Sequence, residues 1–275
     1  ITKYAVQIRN PEDIVQELNK AYHIATTGRR GPVLIDLPMN IQRSEVENPV
    51  YDMTFEDIHT DAAQAQKAAD TILEALETAK RPVIMLGHGV DSSASQRELI
   101  QFARKRQIPI ITSVLAKSVL GYEHPLNFGC IGGAYGHRYA NMIANAKSDL
   151  LLCFGISLCT RQIGTKVHEF AKGAKIIRVD IDSCNLQRDI HENGANEVKL
   201  QAETGAVIDC LSRAAVQKPD EYREWLNVCN EIKENLQAVD DETPERYPNR
   251  MIASLSEMLE DTSAIAVDVG QHLVW

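Results

Sequence analysis

Residues 148–182 read SDLLLCFGISLCTRQIGTKVHEFAKGAKIIRVDID, and this stretch decides the fold. It holds two short apolar runs, residues 149–155 and 174–182, which end in Gly or Asp and are separated by about twenty mainly polar residues, as buried parallel strands are. Ligands of parallel sheets sit at the carboxyl ends of the strands, which places Gly155, Arg161, Asp180 and Asp182 where a small molecule is expected. Asp180 and Asp182 alternate along the chain, so one faces the cleft and the other the helix layer.

Outward from this pair, strand and helix continue to alternate. On the N-terminal side a helix over residues 61–79 precedes the strand Pro82-Val-Ile-Met-Leu86 and the turn Gly87-His-Gly89. A helix over 93–106, the strand Ile108-Pro-Ile-Ile-Thr112 and a helix over 138–146 follow. On the C-terminal side Glu197-Val-Lys-Leu200 gives a short strand before a helix over 204–215. This alternation through residues 60–217 predicts an α/β fold, a doubly wound, mostly parallel, Rossmann-like sheet with right-handed crossovers.

The flanks read differently. Residues 1–42 carry a strand at Tyr4-Ala-Val-Gln-Ile-Arg9 and a buried strand within 32–38. Between them lies a helix capped by Asn10 with Pro11 first, whose Ile14, Leu18, Tyr22 and Ala25 share an apolar face. One helix and two strands are too few to close a domain. Residues 43–59 read as a linker, and residues 218–248 as a packing helix with Tyr222, Trp225, Leu226 and Ile232 at helical spacing, followed by a second linker. Residues 249–275 give a helix over 249–260, a strand Ala264-Ile-Ala-Val-Asp268 and a turn at Val269-Gly-Gln-His272. That strand stands without partners and the chain begins with Ile1 rather than Met, so an internal fragment of a longer polypeptide is expected.

Composition bounds the function. The chain has 275 residues, 44% of them hydrophobic, enough for a substantial core. Its net charge of −9 and pI near 5.4 argue against broad binding to nucleic acid or an anionic membrane, either of which needs a basic surface. No apolar run approaches the roughly 20 residues that cross a bilayer, and residue 1 opens no signal-like segment, so a cytoplasmic location is expected. Cys130, Cys153, Cys159, Cys184, Cys210 and Cys229 form no Cys-x-x-Cys pair and match no His spacing, which predicts reduced thiols and no metal site.

Several motifs resemble thiamine-diphosphate enzymes of the acetolactate synthase group. They are Gly28-Arg29 with Gly31-Pro-Val-Leu-Ile-Asp-Leu-Pro38, Arg81-Pro-Val-Ile-Met-Leu-Gly-His-Gly89, the stretch from Ala116-Lys117 to His124-Pro125, Gly133-Ala-Tyr-Gly136 with Ala140-Asn141, Val179-Asp-Ile-Asp182 and Val267-Asp-Val-Gly-Gln-His272. Each is weak alone; their shared order carries the resemblance. It implies that residues 1–42 end a pyrimidine-binding domain, that 60–217 form the central domain and that 249–275 begin a diphosphate-binding domain. It also implies an enzyme acting on a 2-keto acid by carboligation or decarboxylation, with thiamine diphosphate and Mg²⁺, as a homodimer or homotetramer.

By the same resemblance Val269, Gly270, Gln271 and His272 touch the diphosphate, since a Gly-Gln-His turn after a strand offers backbone N–H groups as a nest. The family's catalytic Glu and its metal motif match nothing within this sequence, so no catalytic or metal-binding residue is assigned and the chain alone is expected to be inactive. The group's central domain holds FAD, whereas related enzymes put ADP there or leave the place empty. A nucleotide here would meet Arg29, Gly87, Gly89, Gly133, Gly136, Gly155, Arg161, Asp180 and Asp182. The flavin enzymes carry Gly-Ala-Arg-Phe-Asp-Asp-Arg where this chain has Gly155-Ile-Ser-Leu-Cys-Thr-Arg161; Tyr135 also replaces a His, and Met39 a Lys. Losing one charge-assisted contact to a phosphate costs about 1.5–3 kcal/mol, so no tightly held flavin is expected. The competing reading is a free-standing nucleotide-binding α/β module of NAD or FAD type.

Overall fold

The computed structural model describes residues 1–49, 51, 54–55, 61–91, 95–133, 135–215, 220–241, 247–260, 263–266, 268 and 270. The chain divides into two units, Ile1–Asp61 and Ala62–Trp275.

In the smaller unit, β1 (Tyr4–Gln7) and β2 (Val33–Asp36) pair in parallel from Tyr4 opposite Val33 to Gln7 opposite Asp36. Between them runs α1 (Ile14–Thr26), entered through a 3₁₀ turn at Pro11–Asp13, and α2 (Met39–Gln42) follows β2. Three expectations change here. Asn10 occupies the cap position, but its side chain makes no capping bond. Ala21 is the residue of α1 that is buried, whereas Leu18 and Tyr22 are 47% and 72% exposed. The face of α1 that meets the strands carries Glu17, whose carboxylate accepts a 2.6 Å bond from the Tyr4 hydroxyl, so it is more polar than the apolar spacing suggested. β2 is half-exposed rather than buried, because a two-stranded sheet covers one face only.

The larger unit starts with α3 (Ala62–Thr78), β3 (Pro82–Leu86), α4 (His88–Asp91), α5 (Gln96–Arg106) and β4 (Ile110–Thr112). A 3₁₀ segment at Val114–Val119, β5 (Asn127–Cys130) and α6 (Arg138–Asn141), which widens into a π turn at Met142–Lys147, lead to β6 (Leu150–Phe154). Then come α7 (Thr160–Ile163), β7 (Lys175–Asp180), α8 (Ser183–Gln187), β8 (Glu197–Gln201), α9 (Thr204–Arg213), α10 (Arg223–Asp241) and α11 (Pro248–Glu257). The six strands lie in the order β5-β4-β3-β6-β7-β8 with every neighbouring pair parallel, which makes the fold a doubly wound α/β sheet.

The physical causes are local. All residues of β3 and β6 are buried, which explains why these strands are continuous apolar runs without alternation. On α3, Ala65, Ala68, Ala69, Ile72, Ala75 and Leu76 repeat at helical spacing and face the core, the alanines allowing close approach. Tyr222 and Trp225 lock α10 onto this unit, since the Tyr222 hydroxyl donates to the Leu76 carbonyl at 2.6 Å and the Trp225 indole to the Pro82 carbonyl at 2.9 Å. Buried Arg178 in β7 donates to the carbonyls of Arg188 and Asn185 and lies 3.8 Å from the buried Glu197 carboxylate in β8.

Two elements differ from expectation. β5, a four-residue edge strand containing Asn127 and Gly129, was not anticipated, because it has no apolar run. Residues 263–266 and 268 are exposed and join no strand; an extended apolar run becomes a strand only where a neighbour completes its hydrogen-bond ladder.

Candidate functional site

Counting from β3, the strand order is 3-2-1-4-5-6, so the direction of winding reverses between β3 and β6. The crevice at that reversal, beyond the carboxyl ends of the strands, is where such sheets hold ligands. Backbone bonds stitch this rim together from one edge to the other. Ile131 N–H donates to Thr112 O at 2.9 Å, Ser113 N–H to Leu86 O at 2.7 Å, Gly87 N–H to Phe154 O at 3.0 Å, Gly155 N–H to Val179 O at 2.9 Å and Ala202 N–H to Asp180 O at 3.1 Å.

Gly87, Gly89 and Gly155 come together at the reversal point. A Cβ on Gly87 would meet the Gly155 carbonyl oxygen at 2.0 Å, and one on Gly89 would meet the Gly155 Cα at 2.8 Å. Gly155 itself has a φ of 54°, a left-handed conformation that other residues adopt at a cost. Glycine is therefore required at these positions by the packing of one loop on the other.

Gly133 and Gly136 lie in the turn after β5. A Cβ on Gly136 would fall 2.3 Å from the nitrogen and oxygen of Gly132, whereas one on Gly133 meets nothing within 4 Å. The Gly133 N–H donates to the Arg161 carbonyl at 3.3 Å, joining this turn to α7. Asn141 braces the same turn, donating to the Gly132 carbonyl at 2.8 Å. The Arg161 side chain is exposed. Burial, and secondarily the neighbouring Cys159, push the Tyr135 hydroxyl above its ordinary range, while Arg161 opposes them.

Asp180 and Asp182 organise the turn after β7. Asp180 accepts from the Asp182 N–H at 2.9 Å through one oxygen and from the Asn185 amide at 3.2 Å through the other. Asp182 caps α8 by accepting from the Cys184 N–H at 2.9 Å. Arg29 belongs to the smaller unit. Gly270 is a half-buried bend, and Val269, Gln271 and His272 lie outside the described residues.

Sequence reasoning missed Arg188. Its guanidinium donates to the carbonyls of Ser157, at 2.7 Å, and of Leu158, so a cation reaches the loop after β6 from a position 31 residues away. The one local cue is an Arg shortly after the end of β7 at Asp180. Among the described residues no cluster of three His, Cys, Asp or Glu side chains could hold a metal ion, and no helix is long and apolar enough to cross a membrane. The six cysteines are free thiols.

Comparison with known proteins places this geometry. Residues 69–211 match the family described as "Thiamine pyrophosphate enzyme, central domain". The probable acetolactate synthase large subunit of Methanocaldococcus jannaschii is 31% identical over 291 residues, covering 100% of this chain and 47% of its own length. The acetolactate synthase isozyme 1 large subunit of Escherichia coli K12 is 32% identical over 286 residues, with the same coverage of 100% and 47%. The chain thus spans about half the length of these relatives. Benzoylformate decarboxylase from Polynucleobacter necessarius shares the fold, with a TM-score of 0.65 at 17% identity over 80% of this chain and 39% of that one.

Proposed function

This chain belongs to the thiamine pyrophosphate enzymes, whose central domain it carries, and from that premise we propose that it forms part of a longer enzyme acting on 2-keto acids by carboligation or decarboxylation. The observation that carries the reading is the identity of 31% and 32% to acetolactate synthase large subunits, because it extends over the whole chain and not only over residues 69–211. Residues 1–42 then end a pyrimidine-binding domain, 43–59 are a linker, 60–217 are the central domain, 218–248 a helix and linker, and 249–275 begin a diphosphate-binding domain.

The family takes its name from thiamine pyrophosphate, which when bound serves as an electron sink for carbanion chemistry beside a carbonyl. In this reading the backbone of Val269, Gly270 and Gln271 and the His272 side chain hold its diphosphate, and Mg²⁺ is bound by residues outside this chain. The whole protein is a homodimer or homotetramer. The reading includes a cytoplasmic setting, which six unpaired cysteines support.

No tightly held flavin occupies the central domain in this reading. The support is steric and electrostatic. The loop glycines Gly87, Gly89 and Gly155 that would admit a dinucleotide are packed on one another. Both Asp180 oxygens are used by their own turn, and Ser157 stands where flavin enzymes have Arg. These features support a central domain without a tightly held flavin.

The test is calorimetric. The longer polypeptide, stripped with a chelator, is expected to bind thiamine diphosphate when Mg²⁺ is added and to show no flavin absorption as purified. Failure to bind thiamine diphosphate in the presence of Mg²⁺ would sink the proposal, and a flavin band would sink its second part.

A further inference from the structure

We propose that a pocket beside the edge strand β5, away from the reversal point of the sheet, is a second binding site, for a small carboxylate bearing a short apolar group. The pocket measures about 270 Å³ and is enclosed by the 3₁₀ segment after β4, by β5, by α6 and by α10. Its volume falls below the roughly 300–1,000 Å³ of sites for drug-sized ligands, which suits an acid of a few carbons.

Charge argues for an anion. Lys117 and Lys233 line the pocket, and among the described residues no Asp or Glu does. The Lys233 ammonium donates to the Asn127 carbonyl at 3.1 Å and stands 5.7 Å and 5.9 Å from the ring centres of Phe128 and Tyr139. One hydrogen bond and two aromatic faces are little compensation for a half-buried ammonium, and burial pulls Lys233 below its ordinary range. Glu123 acts on it in the opposite sense but is not part of the lining. A carboxylate in the pocket would add a counter-charge and a charge-assisted acceptor to this ammonium. Lys117 is exposed, and its charge reaches the Cys130 thiol inside.

The remaining walls argue for an apolar tail. Leu120 and Tyr139 are 4% and 3% exposed, and the Cys130 thiol is held neutral by burial. His137 accepts the Cys130 N–H through Nδ1 at 3.0 Å, so its neutral ring carries the proton on Nε2. The net charge of −9 repels polyanions at long range, yet salt screens that repulsion within about 8 Å, which leaves a recessed dicationic pocket open to small monoanions. None of this depends on the proposed activity, since the described lining residues lie between Thr112 and Tyr139 and at Lys233.

The test uses the 275-residue chain and butyrate as probe, with 1-butanol and inorganic phosphate as comparisons, followed by ligand-observed NMR titration. Saturable butyrate binding is expected, weakened about tenfold or more by Lys233→Gln and about threefold by Lys117→Gln, with 1-butanol and phosphate each weaker than butyrate. Lys117 is exposed, so its variant keeps the fold and decides the matter if Lys233→Gln does not fold. Absence of saturable butyrate binding, equal binding of 1-butanol, tighter binding of phosphate, or affinity unchanged in the variants would each overturn the proposal.

Discussion

Gly87 and Gly155 approach so closely that a Cβ on Gly87 would lie 2.0 Å from the Gly155 carbonyl oxygen. The loops ending β3 and β6 are thus in backbone contact at the point where the sheet reverses its winding. Gly87→Ala must part them, and Gly155→Ala adds a side chain at a φ of 54°, so each is expected to lose about 2–4 kcal/mol in urea unfolding. Gly133→Ala meets open space and is expected to stay within about 0.5 kcal/mol of the parent chain. A Gly87→Ala variant as stable as the parent would show that packing is not what requires glycine there.

Arg178 and Glu197 form a buried pair 3.8 Å apart, 2% and 1% exposed, in which the Arg Nε and one Glu oxygen have no hydrogen-bond partner among the described residues. The other Glu197 oxygen accepts from the Ile190 and His191 N–H groups. Glu197→Ala removes a buried carboxylate from a guanidinium that keeps two carbonyl acceptors and the charge of Asp180, and is expected to cost about 3 kcal/mol. The double variant Arg178→Met with Glu197→Ala should be less destabilised than the sum of the two single changes; strict additivity would mean the two charges do not interact.

Alkaline pH should destabilise the larger unit. Burial pushes the Cys153 thiol from 9.0 up to about 12 and moves Cys229 and the Tyr222 hydroxyl in the same direction. Each folded value is raised, so the stability from keeping these groups protonated is fully present below the unfolded value and is lost as pH rises toward the folded one. For Cys153 that window runs from pH 9.0 to about 12, at about 1.4 kcal/mol per pH unit. The urea midpoint should therefore fall steadily above pH 9.0, and a flat profile to pH 11 would contradict this account of roughly three buried acids.

Thiol chemistry should single out one cysteine. Cys184 is exposed, Cys159 and Cys210 are half-buried, and Cys130, Cys153 and Cys229 are buried. With a disulfide reagent the folded chain is expected to show a fast phase of one thiol that Cys184→Ser removes. A fast phase that survives this substitution would place another thiol at the surface.

Much of the central sheet was legible in the sequence. Residues 150–154 and 176–180 are buried on both faces of the sheet, and mainly apolar runs say so without knowledge of their neighbours. β5 was not legible, since an edge strand with Asn127 and Gly129 is held by one neighbour and needs little apolar content. The apolar face expected on α1 failed for a related reason. Spacing shows that Leu18 and Tyr22 share a side of the helix, not whether two strands are enough to cover it.

At the carboxyl-end rim the chemistry-bearing residues could be named but not their uses. The roles of Asp180 and Asp182 as turn and cap acceptors depend on where residues 182–185 fold back. The contact of Gly87 with Gly155, and the reach of Arg188 to the Ser157 carbonyl, join positions far apart in the chain, which no local pattern records.

The most direct test of a thiamine-dependent enzyme acting on 2-keto acids is pyruvate consumption by the longer polypeptide, with thiamine diphosphate and Mg²⁺ added together, singly or not at all. Turnover confined to the mixture containing both is the expected result. Undiminished turnover of the cofactor-stripped protein, or none under any condition with pyruvate or its close 2-keto acid analogues, would contradict it.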